Sequence, residues 1–436
     1  MSDQSSVGTS TRRAPKAATG LGRNFVAMLV WQIGNYLVPL ATFPYLTRIL
    51  GPTGFGVLGY VMAIAIYGTV LTEWGFNLSG PKAVVALRGR PVELNELIWS
   101  TIGAKACLCV VSFGALLVVL HFDHQAAAAR TAILLSWLVV VSNIFTLNWL
   151  LQGLERFSLF ATVSLAGRFL TLPLTFLLVH QSGDIAIAVG IQAAAPVLTA
   201  IFSMVAAQRL GVLRSPMLSW SSVRSRLEKS TDMFVSSASV TLFGATNTVI
   251  LASLAGPYQV GLYVAADKLK TVGNMVPAQI NTILYPRISA LMVDAPRAAA
   301  KLTLIGLIAT AATTMLGVLV VTFLSGHLTS LILGSAFHDS ATVLQLLCLA
   351  TLFGNLAYFL GLQVLVPFAD SRRRSIVMLV GGALSISLSI VLVPRYGANG
   401  AAGSFLIAEI AILCTYLLII LRSTPMRAHF KQVMNW

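Results

Sequence analysis

The chain has 436 residues, 57% of them apolar and only 10% charged, with a mean hydropathy of +0.84 and a formal net charge of +15. Soluble domains carry about a quarter charged residues, so this composition excludes a soluble enzyme or binding module and leaves an integral membrane protein. The basic residues are spread over many short segments, which suits anionic phospholipid headgroups and excludes a concentrated nucleic-acid patch.

Residues 1–24 are rich in Ser, Thr and Ala and carry Arg12, Arg13, Lys16 and Arg23, which reads as a solvated cytoplasmic tail without the apolar core of a signal peptide. Apolar runs near the roughly 20 residues that cross a bilayer follow at 25–47, 57–79, 97–120, 131–152, 159–180 and 184–207, making a first lobe over 25–207. The basic stretch 208–232, with Trp220, Val223 and Leu227 among its charges, suits an amphipathic helix on the inner surface or a plain positive linker. Further runs at 233–255, 261–286, 302–324, 340–367, 374–394 and 399–421 make a second lobe over 233–422, and 423–436 is a cytoplasmic tail. In lipid only helices satisfy the backbone of such open segments. The expected fold class is all-α integral membrane, with about 12 transmembrane helices in two pseudo-symmetric six-helix lobes around a central cavity.

The hairpin Gly51-Pro52-Thr53-Gly54-Phe55-Gly56 has a weaker echo about 205 residues later in Gly256-Pro257-Tyr258-Gln259-Val260-Gly261, so two halves share one plan. With both termini cytoplasmic, nearly all loop Lys and Arg fall inside, including Arg372-Arg373-Arg374, while Arg48, Arg130 and Arg395 fall outside.

No phosphate-binding Gly-Lys-Ser/Thr loop is present, and the short outer connections offer no platform for catalytic groups. The chain is therefore expected not to be an enzyme and to need no cofactor. His121 and His124 stand at i, i+3 without a second metal-binding pair, so no metal is expected. Cys107, Cys109, Cys348 and Cys414 read as small apolar residues within spans.

Charge inside the membrane is costly and marks function. At about 1.5 Å per residue, Lys105, Arg168, Asp267, Lys268, Lys270 and Glu409 all fall roughly 9–15 Å deep, near the midplane. Each has a bland alternative: Lys105 can snorkel, Asp267 and Lys270 can pair at i, i+3, Glu409 can anchor a helix, and Arg48 can hold lipid headgroups. An interior richer in cations than acids points to an anionic cargo, with Arg48, Lys105, Arg168, Lys268 and Lys270 as candidate pyrophosphate ligands. Glu73, Asp267 and Glu409 are candidates for coupling an ion. Among the amides, Gln32, Asn35, Asn148, Gln152, Asn247 and Gln363 suit sugar hydroxyls, although at least half of such amides serve interhelical hydrogen bonds.

Pro44-Tyr45-Leu46-Thr47-Arg48-Ile49-Leu50-Gly51-Pro52 with Gly54 and Gly56, then Trp74-Gly75-Phe76-Asn77-Leu78-Ser79, resembles the first helical pair of the Wzx-type polysaccharide flippases. Leu151-Gln152-Gly153-Leu154-Glu155-Arg156-Phe157, Gly261-Leu262-Tyr263-Val264-Ala265-Ala266-Asp267-Lys268, Leu284-Tyr285-Pro286-Arg287 and Pro394-Arg395-Tyr396-Gly397-Ala398-Asn399-Gly400 with Glu409 are similar to later family stretches. The resemblance implies the multidrug/oligosaccharidyl-lipid/polysaccharide exporter fold in a bacterial inner membrane. It also implies a cargo of undecaprenyl-pyrophosphate-linked oligosaccharide, moved from inner to outer leaflet by alternating access for O-antigen, capsule or exopolysaccharide assembly. Further implications are coupling to an H+ or Na+ gradient or the membrane potential, and partnership with a polymerase and chain-length regulator. The rival readings are a cation-coupled drug exporter of the same superfamily and a membrane glycan polymerase or ligase.

Overall fold

The computed structural model describes residues 17–122, 129–368 and 370–434, the side chains of 17–25, 29, 36, 235–243 and 431–434 excepted. Of the expected tail 1–24, residues 1–16 lie outside the described residues, as does His124, while 17–24 already belong to the first helix. The helices are α1 (Ala17–Glu73), α2 (Phe76–Ala86), α3 (Pro91–Phe122), α4 (Arg130–Phe145), α5 (Asn148–Gly153), α6 (Phe157–Leu178) and α7 (Ile185–Arg209). After the connector come α8 (Trp220–Gly273), α9 (Met275–Asp294), α10 (Pro296–Leu328), α11 (Ser340–Leu360), α12 (Ser371–Arg422) and α13 (Thr424–Met434). Among the described residues nine helical segments are long and apolar enough to cross a membrane. Three of them, in α1, α8 and α12, are each two helices joined across a kink at Gly51, Gly256 and Gly397, which fits the expected count of about twelve.

The repeat read from sequence is repeated in the backbone. Gly51 sits at φ 65, ψ 177 and Gly256 at φ 81, ψ 173, a region open only to glycine. The two hairpins then dock on each other reciprocally. A Cβ on Gly56 would overlap the carbonyl of Pro257, and one on Gly261 would overlap the carbonyl of Pro52. Backbone touches backbone because both residues lack a side chain. Around this contact Phe55 meets Phe337 edge-on with centroids 6.3 Å apart, and Arg48 donates from Nη2 to the carbonyl of Leu331. The two lobes are thus joined at their hairpin end.

Several boundaries differ from those read in the sequence. The second crossing stops at Glu73, where Trp74 and Gly75 adopt positive φ of 42° and 72°, and the chain re-enters helix as α2. The eighth crossing is interrupted at Asn274, whose side-chain oxygen accepts from Asn355 at 2.6 Å. The connector is not a separate surface helix. Its helical part begins at Trp220 and runs straight into the seventh crossing. Its inward face is spent on protein: Val223 is buried, Ser222 donates to Glu96 at 2.5 Å, and Arg226 donates to Thr101 at 3.3 Å. Asn95 adds two bonds, to the carbonyl of Ser215 and from the amide of Arg214. The C-terminal segment, read as a tail, forms α13 and buries Met426 and His429. All four cysteines are free thiols.

Candidate functional site

The first lobe encloses a cavity of about 440 Å³ between α1, α4, α5, α6 and α7. Its charge comes from one side chain. Arg168 is the only ionisable residue on the wall among those described, and it is accessible to the solvent of the cavity. Local packing explains its position: the neighbouring Gly167 brings α6 so close to α7 that a Cβ there would lie 2.5 Å from the Ala195 carbonyl. Ser164, Arg168, Thr171 and Thr175 recur at the spacing of one helical face, so α6 presents a polar stripe to the space. From α7, Gln192 and Thr199 face it, and from α1 come Trp31, Asn35 and Thr42. Trp31 packs against Phe160 at 5.1 Å, which holds its ring at the cavity wall.

Behind Asn143 on the α4 wall lies a closed polar network. Lys105 is 1% exposed and donates to Glu73 Oε2 at 3.0 Å, to the Asn143 carbonyl at 3.1 Å and to Asn143 Oδ1 at 3.3 Å. Asn143 Nδ2 in turn donates to Thr72 Oγ1 at 3.1 Å. An ammonium has three hydrogens, and here all are used. Lys105 and Glu73, expected to act as cargo ligand and coupling acid, therefore form a pair with each other and stand off the cavity wall.

The second-lobe charges lie elsewhere. Lys270 pairs with Asp267 at 2.6 Å, stands over the Phe405 ring at 5.2 Å and borders a separate, mostly apolar cavity of about 270 Å³. Glu409 packs against Gly354, where a Cβ would come within 3.0 Å of its carboxylate. Lys268 is exposed and lines neither cavity. Arg48 is committed to Leu331 at the hairpin end. The expected convergence of cations from both halves in one chamber is thus corrected: Lys105 and Lys270 pair with acids of their own lobes, Arg48 bonds across the hairpin end to Leu331, Lys268 lines neither cavity, and Arg168 alone of these cations faces the larger one.

Of the amides, Asn35 and Asn148 line the cavity, while Gln32 and Gln152 do not. Asn247 is buried between helices, donating to Ser385 and accepting from Ser389, each at 3.3 Å. Gln363 is buried and donates to the Asn281 carbonyl at 3.2 Å. Sequence reading passed over Trp31, Gln192, Ser164 and the cavity threonines. The polar spacing 164, 168, 171, 175 within an apolar run was the signal that could have found the α6 residues. No group of three or more His, Cys, Asp or Glu able to hold a metal occurs among the described residues.

Residues 21–292 match the model of the polysaccharide biosynthesis protein family. A protein named for O-antigen transport in Escherichia coli (strain K12) is 28% identical over 409 residues, covering 92% of this chain and 96% of that one. Two solved structures share the fold. The lipid II flippase MurJ, in an inward closed conformation, superposes with a TM-score of 0.72 at 14% identity, covering 93% of this chain and 90% of MurJ. An inward-facing multidrug resistance MATE transporter of the MOP superfamily gives 0.71 at 13% identity, covering 93% and 99%. With its family match, its twelve crossings and its two hairpin-linked lobes, the chain belongs to the polysaccharide biosynthesis proteins and has the fold of the multidrug/oligosaccharidyl-lipid/polysaccharide exporters.

Proposed function

We propose that the protein flips undecaprenyl-pyrophosphate-linked oligosaccharide from the inner to the outer leaflet of a bacterial inner membrane by alternating access. The observation that carries this reading is the polar first-lobe cavity with Arg168 as its one charge. Arg168 gives a phosphate charge-assisted, bidentate hydrogen bonds, and Asn35, Asn148, Gln192 and the hydroxyls around it suit sugars. The prenyl chain stays in lipid while the head crosses, and rocking of the lobes about the paired hairpins exchanges access. Both termini face the cytoplasm, by the distribution of loop Lys and Arg, which makes the joined hairpin end periplasmic. Glu409 is the candidate for ion coupling, since Glu73 and Asp267 each have a basic partner and Glu409 has none within ion-pair distance among the described residues. A cavity without a carboxylate disfavours the export of cationic drugs, and the relatives named as transporters disfavour a glycan polymerase or ligase.

The test is delivery of a defined lipid-linked oligosaccharide across reconstituted vesicles. Arg168→Ala should abolish delivery and Arg168→Lys should restore part of it, with both variants as abundant in the membrane as the wild type. Full delivery by Arg168→Ala would refute the assignment.

A further inference from the structure

Besides the two cavities described above, a third of about 320 Å³ lies where the lobes meet. Its walls are the arm of α1 after Gly51, with α3 and α4, and the arm of α8 before Gly256, which contributes Val249. The Tyr67 hydroxyl on its wall bonds Thr246 of that same α8 arm at 2.7 Å, so the cavity sits on the seam between first and second lobe.

The cavity is a repeated feature. Ile64, Tyr67 and Gly68 line it 13, 16 and 17 residues after Gly51, and Leu269, Val272 and Gly273 line the apolar second-lobe cavity at the same distances after Gly256. The remaining walls correspond as well: α10 and α11 stand where α3 and α4 do, and Leu40 comes from the arm of α1 before Gly51. A void that recurs at equivalent positions of both halves belongs to their shared plan.

The wall identifies the occupant. No charged residue lines it. The Tyr67 hydroxyl is engaged, Ser112 donates to the Cys109 carbonyl at 2.9 Å, and the unpartnered indole N–H of Trp137 is itself buried, out of reach of a water in the cavity. Apolar space of this kind stays dry. Its exposed wall residues Ala115 and Val119 lie on α3 beside Val110, Val111 and Val118, apolar side chains exposed on a segment long and apolar enough to cross a membrane. Lipid hydrocarbon therefore borders the mouth. Trp137 and Val249 each stand six residues from the hairpin-end limits of the spans 131–152 and 233–255, about 9 Å deep, which is the level of acyl chains.

We propose that this cavity is a binding site for one acyl chain of a membrane phospholipid, held between the lobes. A chain there makes the dispersion contacts that an unfilled wall forfeits. The equivalent cavity of the second lobe is bordered by Lys270 and Asn274, so the uncharged wall is particular to this one.

The experiment uses the full-length protein, without glycan cargo, in vesicles of phosphatidylethanolamine and a phosphatidylglycerol carrying a diazirine midway along one acyl chain. After irradiation the adducts are mapped by peptide mass spectrometry. Lipid surrounding the protein labels the exposed Val111 and Val118; a chain in the cavity also labels Tyr67 and Ile64, which is 7% exposed. Ala115→Phe and Val119→Trp each place bulk at the mouth. Either should abolish the Ile64 and Tyr67 adducts while those on Val111 and Val118 persist, and an unchanged thermal midpoint certifies the fold of the variant. Adducts confined to the outer face of α3 in the wild type, or Ile64 and Tyr67 adducts undiminished in the folded variants, would overturn the site. Excess unlabelled prenyl pyrophosphate should leave the pattern as it is. If it clears Ile64 and Tyr67, the occupant is a cargo tail and the proposal falls.

Discussion

Replacing Lys105 tests whether its charge belongs to the cargo or to Glu73. In Lys105→Ala the Glu73 carboxylate loses the one partner of Oε2, and Oε1 is already buried without a bond. Neither carboxylate oxygen would then be satisfied. Breaking a buried ion pair from one side costs about 3–5 kcal/mol. The Glu73 side chain keeps 17% exposure, so the lower end, about 3 kcal/mol, is expected. Removing both charges should reverse this: Glu73→Met with Lys105→Met keeps the volume and leaves no buried ion, and hydrophobic replacements of this kind are neutral or stabilising by about 1–4 kcal/mol. The assay is thermal unfolding of the purified variants in detergent, alongside glycan delivery in vesicles. The single variant should unfold at a lower temperature, and the double variant should recover both stability and delivery. A double variant that is as stable as wild type but delivers nothing would refute the reasoning and return Lys105 to the cargo pathway.

Further expectations concern the parts that hold and open the structure. Gly56→Ala puts a methyl where the Pro257 carbonyl lies, so the hairpin end should open; a cysteine at Phe55, in a background without the four native thiols, should react faster with a membrane-impermeant maleimide. Arg48→Gln removes the bond to the Leu331 carbonyl and should raise the same reactivity to a smaller extent, with no change in the amount of protein in the membrane. His429, 4% exposed beside Thr303 and Phe368, has its pKa lowered from 6.5 by burial. The unfolded segment binds the proton more readily, so docking of α13 is complete above about pH 6.5 and weakens as pH falls toward the lowered value. The protection factors of residues 424–434, each referenced to the intrinsic exchange rate at that pH, should accordingly be smaller at pH 5.5 than at pH 7.5, and His429→Gln should flatten that difference.

The twelve crossings were legible in the sequence because a bilayer imposes a length and an apolar composition that few other structures share. The Gly-Pro repeat was legible too, since a turn at φ near +65° to +81° admits only glycine. The break at Trp74 was not: nothing in the apolar run preceding it signals that the chain leaves helix there. The connector misled for a different reason. Its apolar positions are real, but a moment does not say whether they face lipid or the flank of α3. Depth alone also failed to sort the charges. Lys105 and Arg168 sit at similar depths, yet one is sealed against Glu73 and the other stands in open space.

Alone, the order of residues determined that this chain lives in a membrane, how many times it crosses, and that its halves repeat, because those properties follow from local hydrophobicity and from conformations only glycine allows. Only the tertiary structure decided which ion pairs form and which cation is left facing the cavity. It also decided which carbonyl each wall hydroxyl bonds to and which buried wall atoms have no partner. These are contacts between helices far apart in the chain, or rotations of single side chains, and they depend on relative position in space rather than on sequence spacing.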